Sequence, residues 1–212
     1  MKKTALAVLS LALVGAVASA PAFAGTLYSN GPIDGDYVGW TINSGYAVAD
    51  SFTLTSTSTI TGVDFGGWVF SGDSFSSVDW SISTSSTFTA PTTTAATTNV
   101  FDFNNGQGYD IYTESFSTGS ITLGPGTYYL TLENAVTADG QEAFWDINNG
   151  PSVAYESSIG NVNGYLEPGS NSDSFDIYGT SSGPVIPEPS SLLLMGSGLL
   201  SFAGMMRRKL KA

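Results

Sequence analysis

The sequence predicts an all-β domain, folded as an antiparallel two-sheet sandwich with a jelly-roll-like arrangement. Three observations support this fold class. Short runs rich in Val, Ile, Thr, Tyr, Phe and Trp alternate with polar residues, and turn dipeptides such as Asn105-Gly106 separate the runs. No window of this region carries the apolar stripe of an amphipathic helix. A closed β-barrel is the alternative architecture.

The expected strands follow one another at the spacing that is typical of a β-sandwich. The segments that fit are residues 39–42, 46–55, 59–65, 77–83, 99–103, 111–116, 127–133, 143–147 and 174–179. Side chains two apart share a face of a strand, so Tyr128, Leu130 and Leu132 are expected to point the same way. The same rule places Trp80 on an apolar face between Val78 and Ile82, and we expect that face to lie in the core.

Two segments are expected to lack regular structure. Residues 81–98 are dominated by Ser and Thr and contain Pro91, which predicts a long exposed loop and a candidate for O-glycosylation. Residues 181–186 are rich in Ser, Gly and Pro, as expected for an extended spacer. The globular domain is therefore predicted to occupy residues 25–180.

The N-terminal segment, residues 1–24, has the form of a secretory signal peptide. Lys2 and Lys3 provide the charged start, and an almost wholly apolar stretch follows. Small residues at Ala22 and Ala24 precede Gly25 without an intervening proline, which predicts cleavage by signal peptidase after Ala24. The exported chain then begins at Gly25.

The C-terminal segment, residues 187–212, is predicted to insert into a membrane. An uncharged apolar run spans residues 190–206 and would form about 25 Å of helix, close to the hydrocarbon thickness of a bilayer. Basic residues follow at 207–211, so the positive-inside rule predicts a cytoplasmic C-terminus and an exported domain.

Pro187, Glu188 and Pro189 stand just before this apolar run, and Arg207, Arg208 and Lys209 just after it. This arrangement resembles the PEP-CTERM protein-sorting signal of exopolysaccharide-producing Gram-negative bacteria. The resemblance implies recognition by a membrane-embedded exosortase, cleavage near the Pro-Glu-Pro motif, and delivery to the cell surface or extracellular matrix. The same signal is similar to a C-terminal segment described from some ice-binding proteins.

The charge of the exported part excludes several function classes. All six cations lie at positions 2, 3 and 207–211, and of the 18 acidic residues only Glu188 lies outside residues 25–186, which leaves 17. A chain segment without Lys, Arg or His cannot neutralise phosphates, so nucleic acids and anionic lipid headgroups are not expected partners. It also lacks the residues for Ser-His-Asp, cysteine or Schiff-base catalysis. The chain has no cysteine and hence no disulfide.

Carboxylates without basic partners favour a hard cation if any metal binds, and calcium is the candidate. The first candidate site is Asp102, Asn104 and Asp110, where oxygen ligands recur along a short segment that departs from the EF-hand pattern. The second is the oxygen-rich group around Asp139, Glu142 and Asp146. Solvated polar turns are the alternative at both places, and the sequence assigns no cofactor beyond these calcium candidates.

Three further functions remain open. Carbohydrate binding needs an exposed aromatic ring beside hydrogen-bonding side chains, for which Trp40, Trp68 and Trp145 are candidates; the alternative is that these tryptophans fill the core. Ice binding is suggested by threonines at alternate positions, namely 53, 55, 57, 59 and 61, although residues 56–58 also fit a turn. Paired carboxylates could perform glycoside hydrolysis without any basic residue.

From these features the sequence predicts a non-enzymatic, exported acidic protein with no assigned catalytic residue. We expect it to be anchored transiently by its C-terminal helix, processed by signal peptidase and an exosortase, and released to the cell surface or matrix. There it would serve as a structural or glycan-associating component of the exopolysaccharide of a biofilm. A calcium-dependent sugar-binding module, an ice-binding protein and a small glycosidase are the alternatives.

Overall fold

A computed structural model describes residues 25–35, 39–85, 93–158 and 172–182. The described residues form strands joined by turns, with no helix among them. The strands are β1 Gly25–Ser29, β2 Trp40–Thr41, β3 Tyr46–Leu54, β4 Ser58–Phe70, β5 Phe75–Ser83, β6 Thr93–Ala96, β7 Thr98–Asn104, β8 Tyr109–Leu123, β9 Gly126–Thr137, β10 Phe144–Trp145, β11 Ile147–Asn148, β12 Ala154–Ser158, β13 Ser172–Asp173 and β14 Phe175–Ser181.

The first sheet is built around the long strand β4. One edge of β4 pairs with β8, and β8 pairs with β7. The other edge pairs first with β14, which carries β1 on its far side, and then with β10, which carries β2. All these pairings are antiparallel, and bulges interrupt several of them, including β14 between Tyr178 and Gly179.

The second sheet has five antiparallel strands in the order β12-β3-β9-β5-β6. A separate short ladder joins β11 to β13. Because β9 lies between β3 and β5, the strand that follows the Gly124-Pro125-Gly126 turn is the centre of its sheet. Every described pairing in the molecule is between antiparallel strands, as the sequence predicted.

The two sheets pack face to face and bury aromatic side chains between them. Phe65 of β4 meets Phe75 of β5 edge to face with ring centroids 5.8 Å apart, and Phe52 of β3 meets Phe175 of β14 at 6.4 Å. Such tilted contacts between rings stabilise beyond the area that they bury. Gly67 permits this packing, since a Cβ there would lie 2.6 Å from the Phe75 ring. The architecture of the described strands is thus the predicted sandwich rather than a closed barrel.

The predicted strand faces are confirmed. Val78 and Trp80 are buried with Ile82 packed against them, and Leu130 and Leu132 are fully buried with Tyr128 beside them. Each of the expected strands overlaps an observed one, although β4 and β8 extend well beyond the predicted bounds. The jelly-roll-like arrangement of the strands stays a prediction.

The sequence reasoning missed four strands and misjudged one loop. β1, β6, β12 and β13 were not expected. The loop predicted at residues 81–98 is wrong at both ends, because residues 81–83 belong to β5 and β6 pairs with β5. Thr has high β propensity when a neighbouring strand is available, and that neighbour is supplied by the tertiary fold.

The targeting segments lie outside the described residues. This applies to the predicted signal peptide at 1–24 and to the predicted membrane helix at 190–206. Within the part of the chain that the structure does describe, no helix has the length and apolar character needed to cross a membrane.

Candidate functional site

A cleft of about 580 Å³ lies on the outer face of the first sheet. The alternation of side chains along two strands explains why polar groups face the cleft. On β4, Val63 and Phe65 point into the core, so Asp64 points outwards. On β14, Phe175 and Ile177 point into the core, so Asp176 and Tyr178 point outwards. The loop at residues 31–33 forms one wall, and Asp102, Phe103 and Thr113 form another. The remaining lining residues are Phe65, Gly66, Ser174 and Phe175.

Three carboxylates line this cleft, and hereafter we call Asp64, Asp102 and Asp176 the cleft carboxylates. Asp64 and Asp176 are direct partners across the β4–β14 pairing, a position at which two like charges are destabilising. No Lys, Arg or His occurs anywhere in residues 25–186 to offset them. The cleft is therefore a site of concentrated negative charge with no internal counter-ion.

Hydroxyl groups satisfy part of this acceptor capacity. Thr113 Oγ1 donates to Asp102 Oδ2 at 2.9 Å, and the Tyr178 hydroxyl donates to Asp176 Oδ2 at 3.3 Å. Burial raises the pKa of Tyr178 to about 12, with the charges of Asp64 and Asp176 adding to the shift, so the phenol keeps its proton. Asp176 Oδ1 is buried and finds no hydrogen-bond partner among the described residues.

The first calcium candidate group is only partly assembled. Asn104 Nδ2 donates to Asp110 Oδ1 at 2.6 Å, and Gly72 N donates to Asp110 Oδ2 at 2.9 Å, so this carboxylate is already occupied by donors. These hydrogen bonds, that from Asn104 first, lower the pKa of Asp110. Asp102 points elsewhere, towards Thr113 and the cleft.

The second calcium candidate group is divided between the surface and the interior. Asp139 and Glu142 are exposed, whereas Asp146 is fully buried. Asp139 accepts hydrogen bonds from Gln141 within its own turn, and its carboxyl pKa is lowered chiefly by its interaction with Asp73. Across the described ranges, no three acidic side chains gather as a metal site would require. Calcium binding stays a prediction.

Asp146 instead supports the wall of the cleft. Its Oδ1 accepts a hydrogen bond from Trp68 Nε1 at 2.6 Å, and Oδ1 and Oδ2 accept the backbone N–H groups of Gly35 and Asp34 at 3.2 Å. Burial raises the pKa of Asp146 to about 6 against the opposing effect of the Trp68 hydrogen bond. The carboxylate thus holds the N-terminal loop against the outer face of the sheet.

The tryptophans considered as sugar platforms belong mainly to the interior. Trp145 is fully buried and donates from Nε1 to the Ser174 carbonyl at 2.8 Å, and Trp68 is also buried. Trp40 is half-buried and packs against the core. The prediction of an exposed aromatic platform at Trp68 or Trp145 is therefore wrong, because both rings fill space between packed elements.

A buried polar network at the β11–β13 ladder was not predicted. Four oxygens lie 2.6–2.9 Å from Asn30 Nδ2, namely Asp50 Oδ2, Ser152 Oγ, Ser172 Oγ and the Asp173 carbonyl. Burial raises the pKa of Asp50 to about 6, although the N–H of Asp173 and other donors oppose the shift. Burial, with the charge of Asp50 next, holds the pKa of Asp173 well above its usual range. One feature of the sequence could have indicated this network: Asp50 shares the otherwise apolar face of β3 with Val48 and Phe52.

Glu114 is a second buried acid that sequence reasoning missed. It lies on the inward face of β8, is fully buried, and neither carboxyl oxygen has a hydrogen-bond partner among the described residues. Burial raises the pKa of Glu114 to about 7; the nearby Thr97 hydroxyl lowers it by less, and the charge of Asp102 adds to the rise. This carboxyl group has no counter-ion among the described residues and, with its raised pKa, is protonated over much of the acidic range.

The threonine series does not form a flat array. Thr53 ends up on β3 and Thr59 on β4, with residues 55–57 in the turn between these strands, as the turn interpretation predicted. Each of these two threonines pairs with a threonine of another strand, Thr53 with Thr127 and Thr59 with Thr122, at 3.1 Å between hydroxyl oxygens.

The sorting residues Pro187, Glu188, Pro189, Arg207, Arg208 and Lys209 lie outside the described residues, as do Ala22 and Ala24; Gly25 begins β1. Comparison with known protein families matches residues 185–209 to the PEP-CTERM protein-sorting motif. Comparison with curated proteins gives no match. The motif implies an exosortase-processed extracellular protein that is exported and transiently anchored in the membrane before cleavage. Residues 185–209 of this chain therefore carry the PEP-CTERM protein-sorting motif.

Proposed function

We propose that the exported domain is a non-enzymatic, glycan-associating component of the exopolysaccharide matrix of a biofilm. The observation that supports this function is the open cleft of about 580 Å³ that combines apolar side chains with hydrogen-bonding groups. Its volume lies within the range of about 300–1,000 Å³ that is common for small-ligand sites. Carboxylate and hydroxyl oxygens suit sugar hydroxyls, and the Phe103 ring with the Ile33 and Pro32 side chains suits the C–H faces of a sugar.

Glycan-array binding tests the proposal. The probe is the full chain, solubilised in a detergent without a sugar headgroup so that the detergent does not compete. We expect binding to at least one class of oligosaccharide that persists in EDTA. Binding that EDTA abolishes would favour the calcium-dependent module instead, and the absence of binding under every condition would leave only a structural role.

A glycosidase is the second candidate, because Asp64 and Asp176 stand opposite each other in the same cleft. Two carboxylates can supply both the acid and the base of glycoside hydrolysis. We nevertheless propose that the domain only binds, and the measurement is direct. Oligosaccharides that bind on the array should be recovered intact after prolonged incubation with the chain, whereas shortened products that disappear in Asp176→Asn would show an enzyme.

Ice binding is a less favoured alternative, since the alternating threonines are divided between two strands and a turn. Thermal hysteresis of the full chain would be the deciding observation. We expect none.

A further inference from the structure

The cleft carboxylates can accept more hydrogen bonds than the protein donates to them, and their negative charge is not balanced by any neighbouring cation. Asp64 and Asp176 face each other across β4 and β14, and Asp102 adds a third charge from β7. The described hydrogen bonds to these groups come only from neutral hydroxyls. Residues 25–186 contain no Lys, Arg or His, so no side chain of the exported domain can bring a positive charge to this site.

Two buried polar atoms at the cleft also lack partners. Ser174 lines the cleft and is fully buried; its Oγ makes no hydrogen bond of normal geometry within the described part of the chain, although it lies close enough to the Asp146 carboxyl group to lower the pKa of that group. Asp176 Oδ1 is also buried and also lacks a hydrogen-bond partner among the described residues. A buried polar atom without a partner is costly, so both atoms are suited to a ligand that brings donors.

The shape of the site favours a ring over a bare ion. The Phe103 ring packs over Gly35, where a Cβ would lie 2.6 Å from it, and presents an apolar surface to the cleft beside Ile33. A cleft of about 580 Å³ is also much larger than a single cation needs. The ligand should therefore combine an apolar face, several hydroxyl groups and a positive charge.

We propose that this cleft binds a glycan through the ammonium group of an amino sugar whose nitrogen is not acetylated, with Asp64 and Asp176 accepting the charge. The proposal rests on the glycan-associating function above and names its ligand class. An ammonium group supplies three donors and a full positive charge, and charge-assisted hydrogen bonds are the stronger kind. Glycans rich in carboxylate or sulfate would be repelled by the same cleft.

Isothermal titration calorimetry tests this assignment on the full chain in the same detergent, with EDTA present and at a pH that keeps the amine protonated. The probes are a tetramer of glucosamine, the N-acetylated tetramer, a neutral glucose tetramer and hexalysine. We expect the glucosamine tetramer to bind at least about tenfold more tightly than the other three, with affinity that falls as salt is raised.

Asp64→Asn and Asp176→Asn should each weaken binding of the glucosamine tetramer by about tenfold or more. Both variants are expected to fold, because each relieves a pair of opposed like charges. Glu142→Gln is the matched control, since it removes one exposed charge outside the cleft lining, and it should leave the affinity unchanged.

The other outcomes separate the two proposals. Equal binding of the acetylated or neutral tetramer, unaffected by the Asp variants, would overturn the ammonium assignment and leave glycan association intact. Binding of hexalysine alone, lost in the variants, would show a site for a protein's lysines and would contradict both proposals. Absence of binding by all four probes would overturn the ammonium assignment, and the glycan array would then decide whether the domain associates with any other glycan.

Discussion

Replacing Glu114 by Gln should change the way in which stability depends on pH. Glu114 is fully buried on the inward face of β8, and its pKa is raised from the model-compound value of 4.5 to about 7. The native state therefore holds a proton that the unfolded chain releases as the pH rises from about 4.5 towards 7. Hence Glu114 makes the native state less stable as the pH rises through this interval, in addition to the effects of Asp50 and Asp146, and the Gln variant isolates its share.

The size of the effect follows from the shift. Each pKa unit corresponds to about 1.4 kcal/mol, so between pH 5 and pH 8 ionisation of Glu114 should cost on the order of 2–3 kcal/mol. Glu114→Gln removes this cost but keeps the shape of the side chain. For a domain of this size, the melting temperature of the variant relative to the wild type should rise by about 5–10 °C between the two pH values.

Thermal melts followed by circular dichroism at pH 5, 6, 7 and 8 measure this difference. Glu142→Gln is the control, because Glu142 is exposed and its variant should melt in parallel with the wild type at every pH. The buried amide of the Gln variant has a cost of its own, but that cost is independent of pH. A Glu114→Gln difference that stays constant from pH 5 to pH 8 would refute the reasoning.

Three further predictions follow from the packing, the buried network and the sorting motif. In urea titrations, Gly67→Ala should lower the free energy of unfolding by about 1–3 kcal/mol, because the new methyl group would overlap the Phe75 ring. Gly124→Ala is the control: its methyl group would meet nothing within 4 Å, so the free energy of unfolding should change by less than about 0.5 kcal/mol. Asn30→Ala should destabilise the protein more at pH 8 than at pH 5. The pKa of Asp50 is about 6, so at pH 8 its carboxylate is charged and, in the variant, has lost the Asn30 amide donor. Equal losses of stability at both pH values would contradict this. Mass spectrometry of the protein recovered from the cell surface should find a C-terminus near Pro187, and an intact C-terminus at residue 212 would show that the motif is not processed.

The sequence was sufficient for the fold class and for the strand faces that contain several large apolar residues. Trp80 and Leu132 illustrate this success, because period-two alternation is a local property that any antiparallel strand must satisfy. It was insufficient for β6, whose threonines resemble a loop until β5 pairs with them. Asp102 was identified for a calcium loop, yet the structure places it in the cleft wall beside Thr113.

By itself, the sequence determined where the charged side chains are: every Lys and Arg lies at positions 2–3 or 207–211, and the charged side chains of residues 25–186 are all acidic. Only the tertiary structure decided what each carboxylate does. Asp50 and Glu114 are buried because their strands present them to the core, and Asp64 and Asp176 form one site because β4 and β14 pair. The physical reason is that solvation and proximity, which set the cost and the use of a charge, depend on contacts between segments far apart in the chain.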